Sequence, residues 1–166
     1  MERFLHPGRV EVRDAVFPRD LSSVSALLEG YLVQTEREKA DHGLVAPSDE
    51  LPERYARAIE DPESAFRGAR VMLASVEGED CGIIVMTTGV GGSELQRFWT
   101  TPPARGRGAG AALLDAALAA ASPPVRLSVW EWRRPAIELY RRRGFEVVAP
   151  ADAWDSRPGL LCLRRG

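Results

Sequence analysis

The sequence predicts a single α/β domain over residues 1–166, and three observations carry that expectation. Segments with strand and helix periodicity interleave from Val10 to Leu163 in the order β-α-α-β-β-β-α-β-α-β-β, which fits one mixed sheet with helices packed on it. No linker, low-complexity tract or internal repeat divides the 166 residues. A chain of this length buries roughly two thirds of the surface its unfolded form exposes, enough for one core.

The first strand is read from "RVEVRDA", where Val10 and Val12 alternate with charged residues. Leu21, Val24, Leu27, Leu28, Tyr31 and Leu32 then recur at three and four residues, one apolar face of a helix, with Asp20 as N-cap and Gly43 beyond its end. A weaker helix is expected from about Asp49 to Glu60. "RVMLASV" and "CGIIVMTT" are apolar strands joined by the hairpin punctuation "EGED", and "ELQRFWT" is a third consecutive strand after "GVGG". Gly106, Gly108 and Gly110 open a helix from Gly108 to Ala121, which "SPP" stops. "VRLSVW" is the next strand. Pro135 fits a first helical residue, Ile137, Leu139 and Tyr140 supply an apolar face, Gly144 a C-cap, and "FEVV" and "LLCL" the last strands.

The net charge of −2 hides an asymmetry: residues 1–96 carry 18 acidic and 10 basic side chains, residues 97–166 carry 6 and 12. A phosphate-bearing small ligand held by the C-terminal half accounts for the split, as do arginines solvated on helix faces. Nucleic acid is not expected, because the chain is acidic overall and shows no basic stripe interleaved with aromatics. The charged start "MERFLHPGRVEVRD" does not read as a secretory signal, and no segment approaches the ~18 apolar residues of a membrane span. The expectation is a cytoplasmic protein without membrane contact. Cys81 and Cys162 sit in apolar runs and read as core residues; His6 and His42 have no partners at metal-ligand spacing, so no metal is expected.

The stretch "TTPPARGRGAGAALL" asks what its glycines serve. A phosphate loop of the Walker type needs Lys and Ser or Thr after the second glycine, where this chain has Ala111 and Ala112. A dinucleotide fingerprint needs its glycines directly after a buried strand, and "TPPA" intervenes. Arg105, Gly108 and Gly110 instead fit the pattern Arg or Gln, two residues, Gly, one residue, Gly or Ala. With "ELQRFWTTPPARGRGAGAALL" before and "RPAIELYRRRGFEVV" after, the chain resembles the GNAT N-acetyltransferase superfamily over nearly its whole length.

The resemblance implies a mixed, mostly antiparallel sheet of six to seven strands, splayed between strands four and five, with about four helices. It implies acetyl-coenzyme A as cosubstrate and transfer of the acetyl group to a primary amine of a small molecule or peptide. The backbone amides of Arg105, Gly106, Arg107, Gly108, Ala109 and Gly110 would hold the coenzyme pyrophosphate, and the backbone at Phe98, Trp99 and Thr100 the pantetheine arm, with the Phe98 amide as oxyanion donor. Glu94 falls where the histone-acetylating branch places its general base; a solvated carboxylate or a pair with Arg97 is the other reading. Tyr140 falls on the family's proton donor to the coenzyme sulfur; the alternative is a core tyrosine. Arg133 stands where many members have Asn, of which this chain has none, so Arg133 and Arg134 are read as solvated loop arginines or as contacts to a coenzyme phosphate or an acidic acceptor. Trp130, Glu131 and Trp132 fall at the family's acceptor pocket, where aromatics and a carboxylate would suit a cationic amine; residues that cap the core are the other reading. A transferase of another acyl group and a non-catalytic coenzyme sensor are the rival functions, and exposed edge strands leave room for a homodimer.

Overall fold

The computed structural model describes residues 8–166, so the reading of His6 and of the first seven residues of the charged start lies outside the described residues. Seven strands form one sheet: β1 (Val10–Asp14), β2 (Arg70–Val76), β3 (Glu79–Gly89), β4 (Gly92–Thr100), β5 (Val125–Trp130), β6 (Glu146–Val147) and β7 (Leu160–Arg165). Their spatial order is β1-β2-β3-β4-β5-β7-β6, antiparallel everywhere except between β4 and β5. Five helices accompany them: α1 (Leu21–Asp41), α2 (Glu53–Glu60), α3 (Pro62–Ala65), α4 (Ala109–Ala120) and α5 (Arg134–Arg142). No described helix is long and apolar enough to cross a membrane.

Two apolar layers form because β2 and β3 are buried on both faces and alternate between them. Val71, Leu73, Ile83 and Val85 meet Val24 and Leu27 of α1. Met72, Ala74, Ile84 and Met86 face the other way, against Leu113, Leu114 and Ala117 of α4, with Tyr140 and Phe145 in the same cluster. Cys81 and Cys162 are buried free thiols, core residues as their apolar surroundings imply. The β2–β3 turn places Glu77 at φ 53° and Gly78 at φ 84°, the two positive values that a two-residue hairpin of matching twist requires.

Some boundaries differ from the sequence reading, each for a local reason. Asp20 precedes α1 but does not cap it: its carboxylate accepts from Arg13 at 2.7 and 3.1 Å and from the Val16 amide at 2.7 Å, a charged partner displacing the cap bond. The second helix begins at Glu53 rather than Asp49, since Pro52 keeps Leu51 out of the helical region. Asp61 then caps the short α3 through the Ser64 amide at 3.2 Å. "FEVV" yields a strand of only two residues, and Pro135 is the second residue of α5.

One irregularity shapes the rest of the molecule. β4 and β5 pair only over Ser93–Leu95 and Val125–Leu127; beyond that β5 follows β7 while β4 stays on β3, and a wedge opens between them. This is the splay between strands four and five.

Candidate active site

The β5-facing edge of β4 is open beyond Leu95, and a β-bulge decides which of its amides face the wedge. Ile83 pairs Trp99 and Val85 pairs Gln96, so Arg97 and Phe98 together oppose Ile84. Arg97 accommodates the extra residue at φ 53°. Before the bulge the Ser93 amide points toward β5, bonding Ser122 and Pro124 carbonyls at 2.9 and 3.1 Å; after it the Thr101 amide points toward β3, bonding Cys81 O at 2.8 Å. Both residue numbers are odd, and alternation alone would put both amides on one edge. The inserted residue flips the parity, and Phe98 and Thr100 therefore turn their amides to the open edge.

The glycine turn lies at the end of this strand. Gly106 and Gly108 take φ 78° and 88°, left-handed values closed to most side chains, and Gly108 is the N-cap of α4. A Cβ on either would meet nothing, so their glycines serve backbone shape rather than clearance; at Gly110 a Cβ would press on Phe98 Cζ at 3.3 Å. Ala112 makes the first bond of α4, to Gly108 O at 3.0 Å, leaving the amides of Ala109, Gly110 and Ala111 without helical partners. The Arg105 amide is occupied by Pro102 O at 3.2 Å, and its guanidinium folds back onto Gln34 Oε1 at 2.7 Å and Thr100 O at 3.2 Å. Arg105 thus braces the turn, while Arg107 is exposed.

A cleft of about 480 Å³ occupies the wedge, lined from α1, α2, β4, β5, α5 and the segment ahead of β7. Glu94 and Tyr140 both line it. Glu94 is 28 % exposed and its Oε2 is held by Arg126 at 2.9 Å, while Oε1 accepts from Gln96 at 3.2 Å. The anticipated pair with Arg97 does not form: Arg97 turns instead to the rings of Tyr31 and Tyr55. Tyr140 is 5 % exposed, tilted against Phe98 at 5.9 Å, and its burial, reinforced by Tyr31, pushes the phenol pKa well above its ordinary value. The Trp99 side chain lies on the opposite face, where its Nε1 donates to Gln34 Oε1 at 2.8 Å.

Arg133 is not a solvated loop arginine. It is largely buried, pairs with Glu38 at 2.8 Å and donates to Thr35 Oγ1 at 2.7 Å, tying α5 to α1 beside the cleft. Burial works against its charge, but the Glu38 hydrogen bond and charge hold its pKa above the usual value. The expected acceptor pocket also takes a different form. Trp130 lines the cleft, but Lys39 and Arg157 stand 5.9 and 5.7 Å from its ring, Trp132 stacks between Trp130 and His42, and Glu131 is exposed outside the lining. These residues do not form an anionic aromatic cage for a cation.

Gln34, Thr35 and Glu38, which position Arg105, Trp99 and Arg133, were not anticipated from sequence. Their signal was present: with Tyr31 they recur at three, four and seven residues and form a polar stripe beside the apolar face of α1. Arg126, Trp154 and Arg157 reach the cleft only through the β5–β7 pairing and a loop that carries no periodicity.

The sequence profile of the acetyltransferase (GNAT) domain matches residues 67–147. Among solved structures, an acetyltransferase from Streptococcus agalactiae is 15 % identical, with 94 % of this chain and 97 % of that chain covered at a TM-score of 0.66. An acetyltransferase from Thermus thermophilus is 18 % identical, with 97 % and 99 % covered at 0.66. The PaiA N-acetyltransferase from Thermoplasma acidophilum, solved in complex with coenzyme A, is 15 % identical, with 95 % and 98 % covered at 0.65. At these identities the structures establish the fold. No curated protein sequence matches the chain.

Proposed function

The chain belongs to the GNAT acetyltransferase superfamily, and from that premise we propose that it transfers acetyl from acetyl-coenzyme A directly to a primary amine of a small molecule or peptide in the cytoplasm. The observation that carries this reading is the wedge: a strand edge with unpaired amides running into a glycine turn at a helix N-terminus. A coenzyme needs both halves, amide donors along an extended arm and a cluster of backbone N–H groups at the positive end of a helix dipole for its pyrophosphate. The amides of Gly106 to Gly110, with Arg107 beside them, fit the pyrophosphate; the Arg105 side chain supports them from behind.

Bound acetyl-coenzyme A supplies an acyl thioester. The Phe98 amide donates to the acetyl oxygen as charge develops there. Glu94, whose Oε1 is bonded only to Gln96 among the described residues, accepts the amine proton directly or through a water. Tyr140 donates to the leaving sulfur. A phenol with so raised a pKa stays protonated throughout the working pH range, and it stabilises a thiolate by hydrogen bonding without having to part with its proton.

Release of free thiol from acetyl-coenzyme A in the presence of an amine library tests the reading. Once an acceptor is found, Glu94→Gln is expected to lower kcat by roughly 10²–10⁴-fold, and Tyr140→Phe to lower kcat with little change in coenzyme affinity. Unchanged turnover in both variants would remove their assigned roles. Coenzyme binding without transfer to any amine would favour a sensor.

A further inference from the structure

Within the acetyl-transfer reading, on which it rests, the charge of the cleft names the acceptor's chemical class. Five cations line the cleft, Lys39, Arg97, Arg126, Arg133 and Arg157, against two carboxylates, Glu94 and Asp155. Four of the five are matched by the protein itself: Lys39 by Glu36 at 2.8 Å, Arg126 by Glu94 at 2.9 Å, Arg133 by Glu38 at 2.8 Å and Arg157 by Asp155 at 2.8 Å. Arg97 has no carboxylate partner among the described residues. Arg97 is a half-buried residue at the bulge, its backbone held at φ 53°, and its guanidinium lies 5.7 Å from the Tyr31 ring and 5.8 Å from the Tyr55 ring.

A cation without a carboxylate partner has its charge uncompensated by the protein's own acids, and two aromatic faces meet only part of it. Keeping a non-glycine residue in the left-handed region adds strain of the kind found at ligand-contacting positions. A ligand anion would supply the missing partner. Glu94, three residues back on β4, lines the same cleft, so the strand presents a carboxylate and then a free guanidinium.

We infer that the acceptor is a small amine that also bears a carboxylate or a comparable oxyanion, with its anion on Arg97 and its amine toward Glu94. An α-amino acid is the simplest example. A polyamine would meet a lining whose uncompensated charge has its own sign, and a cleft of about 480 Å³ that also receives the thioester arm leaves room for a small acceptor.

The test is thiol release measured for amino acids beside their carboxamides and beside diamines, with acetyl-coenzyme A binding followed by calorimetry in parallel. Wild type is expected to favour carboxylate over carboxamide by about tenfold or more in kcat/KM, the equivalent of one charge-assisted contact. Arg97→Gln is expected to bring that ratio to about one through KM, with coenzyme affinity retained and thermal unfolding confirming a folded protein; Arg97→Lys keeps part of the preference. Equal or better turnover of carboxamides or diamines by wild type overturns the inference, as does a ratio that survives Arg97→Gln, and either leaves acetyl transfer standing. Failure to bind the coenzyme would instead sink the acetyl-transfer reading itself.

Discussion

Asp20 shows how a single side chain can be recruited away from its local task. Placed where a helix cap belongs, it forms a two-point bond with Arg13, which in turn reaches Asp80 at 3.1 Å and joins β1, the start of α1 and β3. The Arg13 hydrogen bond, with the Val16 amide second, holds its carboxyl below the usual carboxylate range. A depressed folded-state pKa contributes stability that is present above the unfolded value near pH ~4 and is lost as pH falls below it. Asp20→Asn is expected to lower stability at neutral pH by about 1–3 kcal/mol, leaving Arg13 with a buried neutral partner, and to flatten the loss of stability in acid, read from denaturant unfolding at several pH values. An acid profile identical to wild type would mean that Asp20 is not a source of acid sensitivity. Arg133 teaches the same lesson: a sequence position says which loop an arginine leaves, not that Glu38, 95 positions earlier, waits for it across the cleft.

At the scale of elements, α1 does more than cover the sheet. Its polar stripe receives Trp99 and Arg105 on Gln34 and Arg133 on Thr35 and Glu38, fixing β4, the glycine turn and α5 relative to one another. Gly30 lies mid-helix because a Cβ there would collide with the Trp99 ring. Elsewhere in a helix interior Gly→Ala stabilises by roughly 0.5–1 kcal/mol. Gly30→Ala is expected to reverse that sign, lowering the melting temperature and weakening coenzyme binding by displacing Trp99 beside Phe98 and Thr100. A variant more stable than wild type would show that the Trp99 contact is loose. The bulge in β4 is the second decisive element. It carries no signal in "ELQRFWT", whose propensities are those of an uninterrupted strand; only the pairing register with β3 reveals the extra residue.

For the whole molecule, the parts written in local physics were legible and the parts written in pairing were not. Alternation marked β1, strand-rich runs set off by turn residues marked β2 to β5, the repeat of Leu21 to Leu32 marked α1, and the glycine turn marked the α4 start within a residue. The two-residue β6, the Asp20 bond and the neutralised arginines depend on neighbours distant in sequence. Glu94 and Tyr140, chosen from motif position, line one cleft, whereas the groups that meet the Trp130 and Trp132 rings, Lys39, Arg157 and His42, come from α1, the segment before β7 and the residue after α1, and no local pattern announces them. The central claim is that the wedge between β4 and β5, closed at one end by the glycine turn, holds acetyl-coenzyme A. Titration calorimetry of the folded protein with acetyl-coenzyme A, with NAD and ATP as controls, tests it most directly. Micromolar binding of acetyl-coenzyme A alone, about −8 kcal/mol, is the expected result; no heat of binding from protein shown to be folded would contradict it.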